Sequence, residues 1–273
     1  MGFQAFANLC GFDEYFGKDE YDGNDDFDGI WGIWDEKFMQ FVARKINTFK
    51  EPFYSTLFTV SSHHPYNLPP GYEKKFKEGP MIIHKTIEYT DYSLRRFFET
   101  ASRMPWYDHT LFVITADHAS ALIQYPEYNT AWGYFSIPIF FYKPGENWGQ
   151  FKPEIVQQID IMPTVLGYLH YDQPYVAFGR DIFAEDTEPF AFNWLDNNYQ
   201  AFMDDYLLMF DGTKSVALYN FKKDLLLKRN LLDSLPAQAA HMEKRLTALI
   251  QQYNNRMVDD DLTTEGPRGG THR

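Results

Sequence analysis

The sequence predicts an α/β fold: a mostly parallel sheet flanked by helices, followed by a small antiparallel sheet and a closing helix. Three observations lead there. Dense apolar runs, too short for helices, end abruptly in polar clusters, as buried strands of a parallel sheet do. Amphipathic helical stretches alternate with those runs. Beyond residue 185 the rhythm changes to short, closely spaced strands separated by turn residues.

Composition bounds what such a fold can do. The chain has 273 residues, and its 44% hydrophobic and 18% aromatic content is ample for a core. A formal net charge of -13 excludes non-specific nucleic-acid binding, because no basic surplus is available to displace counterions from phosphates. It leaves open a small anionic substrate handled by a local cation. The single cysteine, Cys10, excludes an internal disulfide and a multi-cysteine zinc site, and it reads as a small buried hydrophobe. No apolar run reaches the length of a membrane span, and Met1-Gly2-Phe3 does not begin a signal peptide, so no targeting segment is expected within this chain.

The elements follow in order. A short helical pattern begins at Gly2. Residues Lys18 to Gly29 then form an acidic loop in which six of twelve residues are Asp or Glu; it lacks the ligand alternation of a calcium-binding loop and reads as solvated. Asp35 is placed to cap a helix from Glu36 to about Phe49, with apolar positions at Phe38, Met39, Phe41, Val42 and Ile46. After Glu51-Pro52, the run Phe53 to Val60 predicts a strand that delivers Ser61-Ser62-His63-His64-Pro65-Tyr66 at its end. Adjacent side chains alternate on an extended chain, so one histidine should face inward and the other outward. A turn begun by Pro65, with both histidines bonded to backbone, is the alternative.

A loop covers Asn67 to Met81, and a helix is predicted from His84 to Arg103, its stripe formed by Ile87, Asp91, Leu94, Phe98 and Ala101. The next strand starts at Thr110 and stops at Asp117-His118. Ligands of open α/β sheets sit just beyond the carboxyl ends of strands. A carboxylate and an imidazole there suit a divalent cation, whereas an isolated pair would read as a helix cap and a turn residue. Ile137 to Tyr142 forms a third strand, and Gln158 to Leu169 a helix capped by Asp160, with Pro163 in its first turn. Short strands are expected over 190–194, 199–203, 206–210 and 216–219, and an amphipathic helix from Leu235 to Met257 closes the chain.

Four of these stretches, in this order and spacing, carry a resemblance: Ser61-Ser62-His63-His64-Pro65-Tyr66, Thr115-Ala116-Asp117-His118, Gln158-Ile159-Asp160-Ile161-Met162-Pro163-Thr164 and Phe178-Gly179-Arg180-Asp181. Over roughly residues 10 to 185 the chain resembles the sulfatase family, within it the lipoteichoic acid synthase or phosphoglycerol transferase branch. Trp31-Gly32-Ile33-Trp34-Asp35-Glu36 fits the same family. The resemblance implies an alkaline-phosphatase-like fold. Residues 1–185 would be the C-terminal part of a catalytic domain whose first strands are missing, 186–257 a meander and helix completing that domain, and 258–273 a disordered tail.

Residue by residue, the resemblance implies that Asp117 and His118 are ligands of one divalent metal ion, Mn, Mg, Ca or Zn. His63 matches the histidine beside the transferred group, where it would hydrogen-bond the ester oxygens or protonate the leaving group. His64 stands where that branch usually has an apolar residue, and takes a weaker substrate-binding role. Asp160 remains a structural cap. The implied activity is a metal-dependent phosphoglycerol or phosphoethanolamine transfer, or hydrolysis of sulfuric or phosphoric esters, on anionic cell-envelope substrates. The implied location is the extracytoplasmic face of the membrane or the periplasm, with contact to the membrane only through N-terminal segments outside this chain.

The chain also departs from the family. The family's nucleophile and another acidic ligand come from strands preceding everything seen here, and Cys10 lacks the context of a modified sulfatase cysteine. The sequence therefore reads as a C-terminal fragment, inactive alone. A catalytically silent module that binds anionic glycans or lipids is the alternative function, and a plain α/β domain with structural histidines is the third.

Overall fold

A computed structural model describes residues 2–149, 154–185 and 187–265. The chain divides into two units, one built from residues up to Phe112 together with Tyr142–Asn147, the other from Val113–Phe141 and the residues from Trp148 onward. The fold class is α/β, with helices, a two-stranded sheet and a four-stranded antiparallel sheet.

In the first unit, helix α1 (Phe3–Leu9) buries none of its residues. Cys10, which follows it, is exposed, so it is not the buried hydrophobe that its residue type suggests. The acidic loop contains one short 3-10 turn, Asn24–Asp26. Helices α2 (Asp35–Ile46) and α3 (Ile83–Ala101) form the core, where Met39, Ala43 and Ile46 pack with Phe97, Ala101 and Trp106. The buried stripe of α3 is Ile83, Thr86, Tyr89, Ser93, Phe97 and Ala101; of the predicted stripe Ala101 belongs to it and Leu94 and Phe98 pack half-buried against the same core, whereas Asp91 is exposed and Ile87 is 49% exposed. Hydroxyls account for the difference. The Thr86 hydroxyl donates to the Ile83 carbonyl at 2.9 Å and that of Ser93 to the Tyr89 carbonyl at 2.7 Å. Small side chains satisfied within their own helix can be buried, which a purely apolar pattern overlooks.

Residues Phe53 to Val60 join no β-ladder among the described residues, so the predicted strand is not formed as a strand. A ladder requires a neighbour to take up the N–H and C=O groups. Here Val60 N–H goes instead to a side chain, Asp35. Tyr54 and Phe58 point to solvent at 75% and 57% exposure.

In the second unit, but for the end residues Phe112 and Tyr142, β1 (Phe112–Thr115) and β2 (Ile139–Tyr142) form the two-stranded sheet, and α4 (Ile161–Tyr168) follows a 3-10 turn at Gln158–Asp160. The meander is β3 (Ala191–Leu195), β4 (Asn198–Met203), β5 (Tyr206–Phe210) and β6 (Ser215–Asn220), paired in sequence order. Asp196 and Asn197, both at positive φ (50° and 62°), form the two-residue turn between β3 and β4 that matches strand twist. Helix α5 (Pro236–Val258) lays Ala239, Met242 and Leu246 on Ala201, Met203, Leu208, Phe210 and Leu218. The expected tail overlaps the end of this helix, and its last residues, 266–273, lie outside the described residues.

The stretch around Gly179 ties the second unit together by close approach. A Cβ at Gly179 would lie 2.1 Å from the Ile159 carbonyl oxygen and 2.8 Å from Asp160 N, backbone atoms that cannot swing aside. Gly179→Ala should lower stability by about 3 kcal/mol, the upper range for overpacking, read from the chemical-denaturation midpoint. An unchanged midpoint would show that the contact is dispensable.

Candidate functional site

Each pair of sequence-predicted site residues is held by a buried aspartate, or by a side chain two residues from one. In the first unit this is Asp35, only 3% exposed. Its Oδ1 accepts the N–H groups of Val60 (2.9 Å) and Ser61 (3.1 Å), its Oδ2 accepts the Thr90 hydroxyl (3.0 Å), and its own N–H donates to Ser61 Oγ (3.0 Å). Asp35 is the first residue of α2 and makes no capping bond to it. The cap predicted from sequence is instead a clamp on the segment leading to the histidines. Burial pushes the Asp35 carboxyl above the ordinary aspartate value, against the opposing pull of its hydrogen bonds.

From the clamped residues the chain turns: His63 N–H donates to Val60 O at 3.1 Å and Tyr66 N–H to His63 O at 3.0 Å. Because this is a turn and not extended chain, the expected inward and outward alternation of the two histidines does not occur. Both are exposed beside Trp31, whose ring centroid lies 4.0 Å from that of His63 and 5.3 Å from that of His64. The Trp31 indole N–H donates to the His64 carbonyl at 2.6 Å, and His63 Nδ1 lies 3.3 Å from the same oxygen. A carbonyl oxygen only accepts, so Nδ1 carries the proton and Nε2 of His63 is left for chemistry.

In the second unit Asp117 and His118 follow β1. Asp117 Oδ1 accepts the backbone N–H of His118 at 2.9 Å, leaving Oδ2 as a donor atom. His118 Nδ1 lies 2.8 Å from Ala119 O, which fixes the proton on Nδ1 and turns the Nε2 lone pair outward. Oδ2 and Nε2 are 3.5 Å apart. Two ligands of a tetrahedral zinc-like ion stand about 3.4 Å apart, so this pair fits one edge of a coordination shell without rearrangement. Among the described residues, no group of three His, Cys, Asp or Glu side chains converges to complete such a shell.

Sequence reasoning missed the residues that hold this pair. Gln158 Nε2 donates to the carbonyls of Ala116 (2.9 Å) and Asp117 (3.1 Å). Gln158 is placed by Asp160, 2% exposed, whose Oδ2 accepts Gln157 N–H and whose Oδ1 accepts Arg180 N–H, both at 2.9 Å. Burial raises the Asp160 carboxyl too. The signal was present in the motif: Gln158 precedes Asp160 by two residues, and Gly179-Arg180 supplies the N–H that Asp160 binds. His63 and His64 lie in the first unit, Asp117 and His118 in the second.

The sulfatase family model matches residues 3–171. Lipoteichoic acid synthase 1 of Bacillus subtilis is 28% identical over 196 residues, covering 65% of this chain and 30% of the relative. Lipoteichoic acid synthase of Staphylococcus aureus is 24% identical over 177 residues, covering 56% of this chain and 26% of the relative. The chain thus spans about a third or less of the length of these curated relatives. Among solved structures, the lipoteichoic acid synthase LtaP from Listeria monocytogenes superposes with a TM-score of 0.68 at 22% identity, over 92% of this chain and 66% of that one. A protein in the alkaline phosphatase superfamily from Vibrio parahaemolyticus also reaches 0.68, at 24% identity, over 89% and 60%. These superpositions establish an alkaline-phosphatase-superfamily fold.

The clamp makes a pH-dependent prediction. A folded carboxyl raised above its unfolded value contributes stability that is full below the ordinary aspartate value and is lost as pH rises through the folded one. Asp35→Asn should remove that slope while keeping an acceptor for Val60 and Ser61. Asp35→Ala orphans two N–H groups and a hydroxyl, and should cost about 3 kcal/mol. Denaturant titrations at pH 3 to 8 check both; identical profiles for the two variants and the parent would refute the clamp.

Proposed function

This chain belongs to the sulfatase family, and from that membership we propose that it carries the metal-binding and proton-handling residues of an enzyme acting on phosphoric or sulfuric esters. The family is one of sulfatase-type and lipoteichoic-acid-synthase-type enzymes. Within it, we assign this chain to transfer of phosphoglycerol or phosphoethanolamine, or to ester hydrolysis, on cell-envelope substrates outside the cytoplasmic membrane. The observation that carries the reading is the donor pair of Asp117 and His118, 3.5 Å apart, with the proton of the imidazole already committed to Ala119 O.

Asp117 Oδ2 and His118 Nε2 are the residues that would hold one divalent cation, Mn, Mg, Ca or Zn. Such an ion, when bound, draws negative charge from the ester centre and from the attacking oxygen. The remaining roles fall to the chain itself. His63, with Nδ1–H tied to the His64 carbonyl, presents Nε2 as the atom that, in the imidazolium form, gives its proton to the leaving oxygen and is left as the neutral ring. His64 contributes a weaker contact to the anionic substrate. Gln158 keeps the backbone of Ala116 and Asp117 from relaxing as charge builds on the donor pair.

We further infer that the nucleophile and the remaining metal donors come from chain beyond these 273 residues, in keeping with the share of the relatives that is covered. No helix among the described residues is long and apolar enough to cross a membrane; attachment would be made by other segments.

Two measurements test the reading. Mn2+ titration followed by the EPR signal of the free ion should give weak binding that drops at least tenfold in Asp117→Ala and in His118→Ala. Unchanged binding in both variants would overturn the metal assignment. The 273 residues should not turn over nitrophenyl phosphate or nitrophenyl sulfate with Mn2+ present. Robust hydrolysis abolished by Asp117→Ala would overturn the inference that catalytic groups lie elsewhere.

A further inference from the structure

Two consecutive glutamines ahead of α4, Gln157 and Gln158, hold two different parts of the second unit. The Gln158 amide grips the carbonyls of Ala116 and Asp117. The Gln157 amide holds the start of the meander: its Nε2 donates to the Phe190 carbonyl at 3.1 Å, and its Oε1 accepts the Phe192 N–H at 3.3 Å. We propose that Gln157 is a positioning residue, which registers the backbone of the Asp117-His118 pair against the edge of the meander by acting through Gln158. What this does for a cation rests on the function proposed above; the coupling of meander to donor pair does not.

Three observations carry the assignment. First, β3 is an edge of the four-stranded sheet, so the main-chain groups on its free side have no ladder partner in that sheet. A primary amide offers a donor and an acceptor on one planar unit, as a peptide group does. The Gln157 side chain therefore pairs with Phe192, and with Phe190 just ahead of the strand, as one further peptide unit would. A glutamate there could only accept, a lysine only donate, and a methionine do neither. Second, the two glutamines share one fixed origin. Asp160 Oδ2 accepts the Gln157 N–H at 2.9 Å, and the Gln157 side chain accepts the Asp160 N–H in return, a reciprocal box closed over the 3-10 turn that begins with Gln158. Their Cα atoms stand about 3.8 Å apart across one planar peptide, so a shift of one is passed to the other with little slack.

Third, the far end of this relay is backbone with little other support. β1 stops at Thr115 and belongs to a sheet of two strands, so no ladder among the described residues holds Ala116 and Asp117. Their placement falls to side-chain contacts, and backbone of that kind opens at low free-energy cost unless something outside it supplies the restraint. The four-stranded sheet is that restraint: its core is closed by α5, with Ala201, Leu208 and Leu218 buried. A displacement of the β3 edge thus moves Gln157, then Gln158, then the main chain that carries Asp117 Oδ2 and His118 Nε2.

The test uses the whole chain and reads backbone 15N order parameters by NMR without added metal. At Asp117 and His118 they should fall from about 0.85 to below about 0.6 in Gln157→Ala and in Gln158→Ala, while Leu208 in β5 keeps the parent value and so reports an intact meander. The double variant should be no looser at these two positions than Gln158→Ala alone, because the first glutamine acts only through the second. Gln157→Met, which fills the same space without hydrogen bonds, should behave as Gln157→Ala does. Mn2+ affinity, read by EPR, should fall about tenfold in each single variant and no further in the double one. Parent-like order parameters in Gln157→Ala, their restoration by Gln157→Met, or a double variant looser than Gln158→Ala would each overturn the proposal. Equal Mn2+ binding by the parent and Asp117→Ala would strike the metal assignment alone, since the order parameters decide the coupling without it.

Discussion

A buried carboxylate gripping the backbone of a segment far away in sequence is the constraint on which both halves of the candidate chemistry depend. Asp35 holds Val60 and Ser61, 25 and 26 residues on, and Asp160 holds Arg180, 20 residues on. Burying a carboxylate carries a desolvation cost, visible in the raised proton affinity of both groups. What offsets it is the satisfaction of N–H groups that would otherwise be orphaned in loops without ladder partners. Irregular backbone thereby acquires a fixed geometry, and functional side chains on loops inherit it.

The second recurring device is a carbonyl that settles a tautomer. His63 and His118 each place Nδ1 near a carbonyl oxygen, one at 3.3 Å and the other at 2.8 Å. The tighter contact belongs to the metal candidate, where ring orientation decides whether a lone pair can be shared. The looser one belongs to the proposed proton donor, flanked by Trp31, whose indole N–H secures the accepting carbonyl. The same simple rule, that a carbonyl can only accept, leaves Nε2 available in both.

Much of this was legible in the sequence, and the gaps have physical causes. The meander and the closing helix could be read because period-two and helical patterns were unbroken between clear turn residues such as Asp196-Asn197. Asp117-His118 stood out because an apolar strand ended on them. Asp35 was misread as a cap because a residue at a helix start has two uses for its carboxylate, and only the fold shows that Val60 is within reach. The α3 stripe was misplaced because Thr86 and Ser93 hide their polarity inside the helix. Phe53 to Val60 had the composition of a strand, yet composition cannot supply the neighbour that makes a ladder. Gln158 was passed over because its role lies in two backbone carbonyls, which no side-chain motif records.

The unpaired run from Phe53 to Val60 has a practical bearing. Phe53 to Val60 combines aromatic and β-branched residues with main-chain groups that, short of Val60, join no ladder, and it carries no charged side chain, the profile of a segment prone to pairing with copies of itself. The net charge of -13 repels copies at long range but places no charge within those eight residues. Any segment that took up these main-chain groups would remove a template for self-pairing.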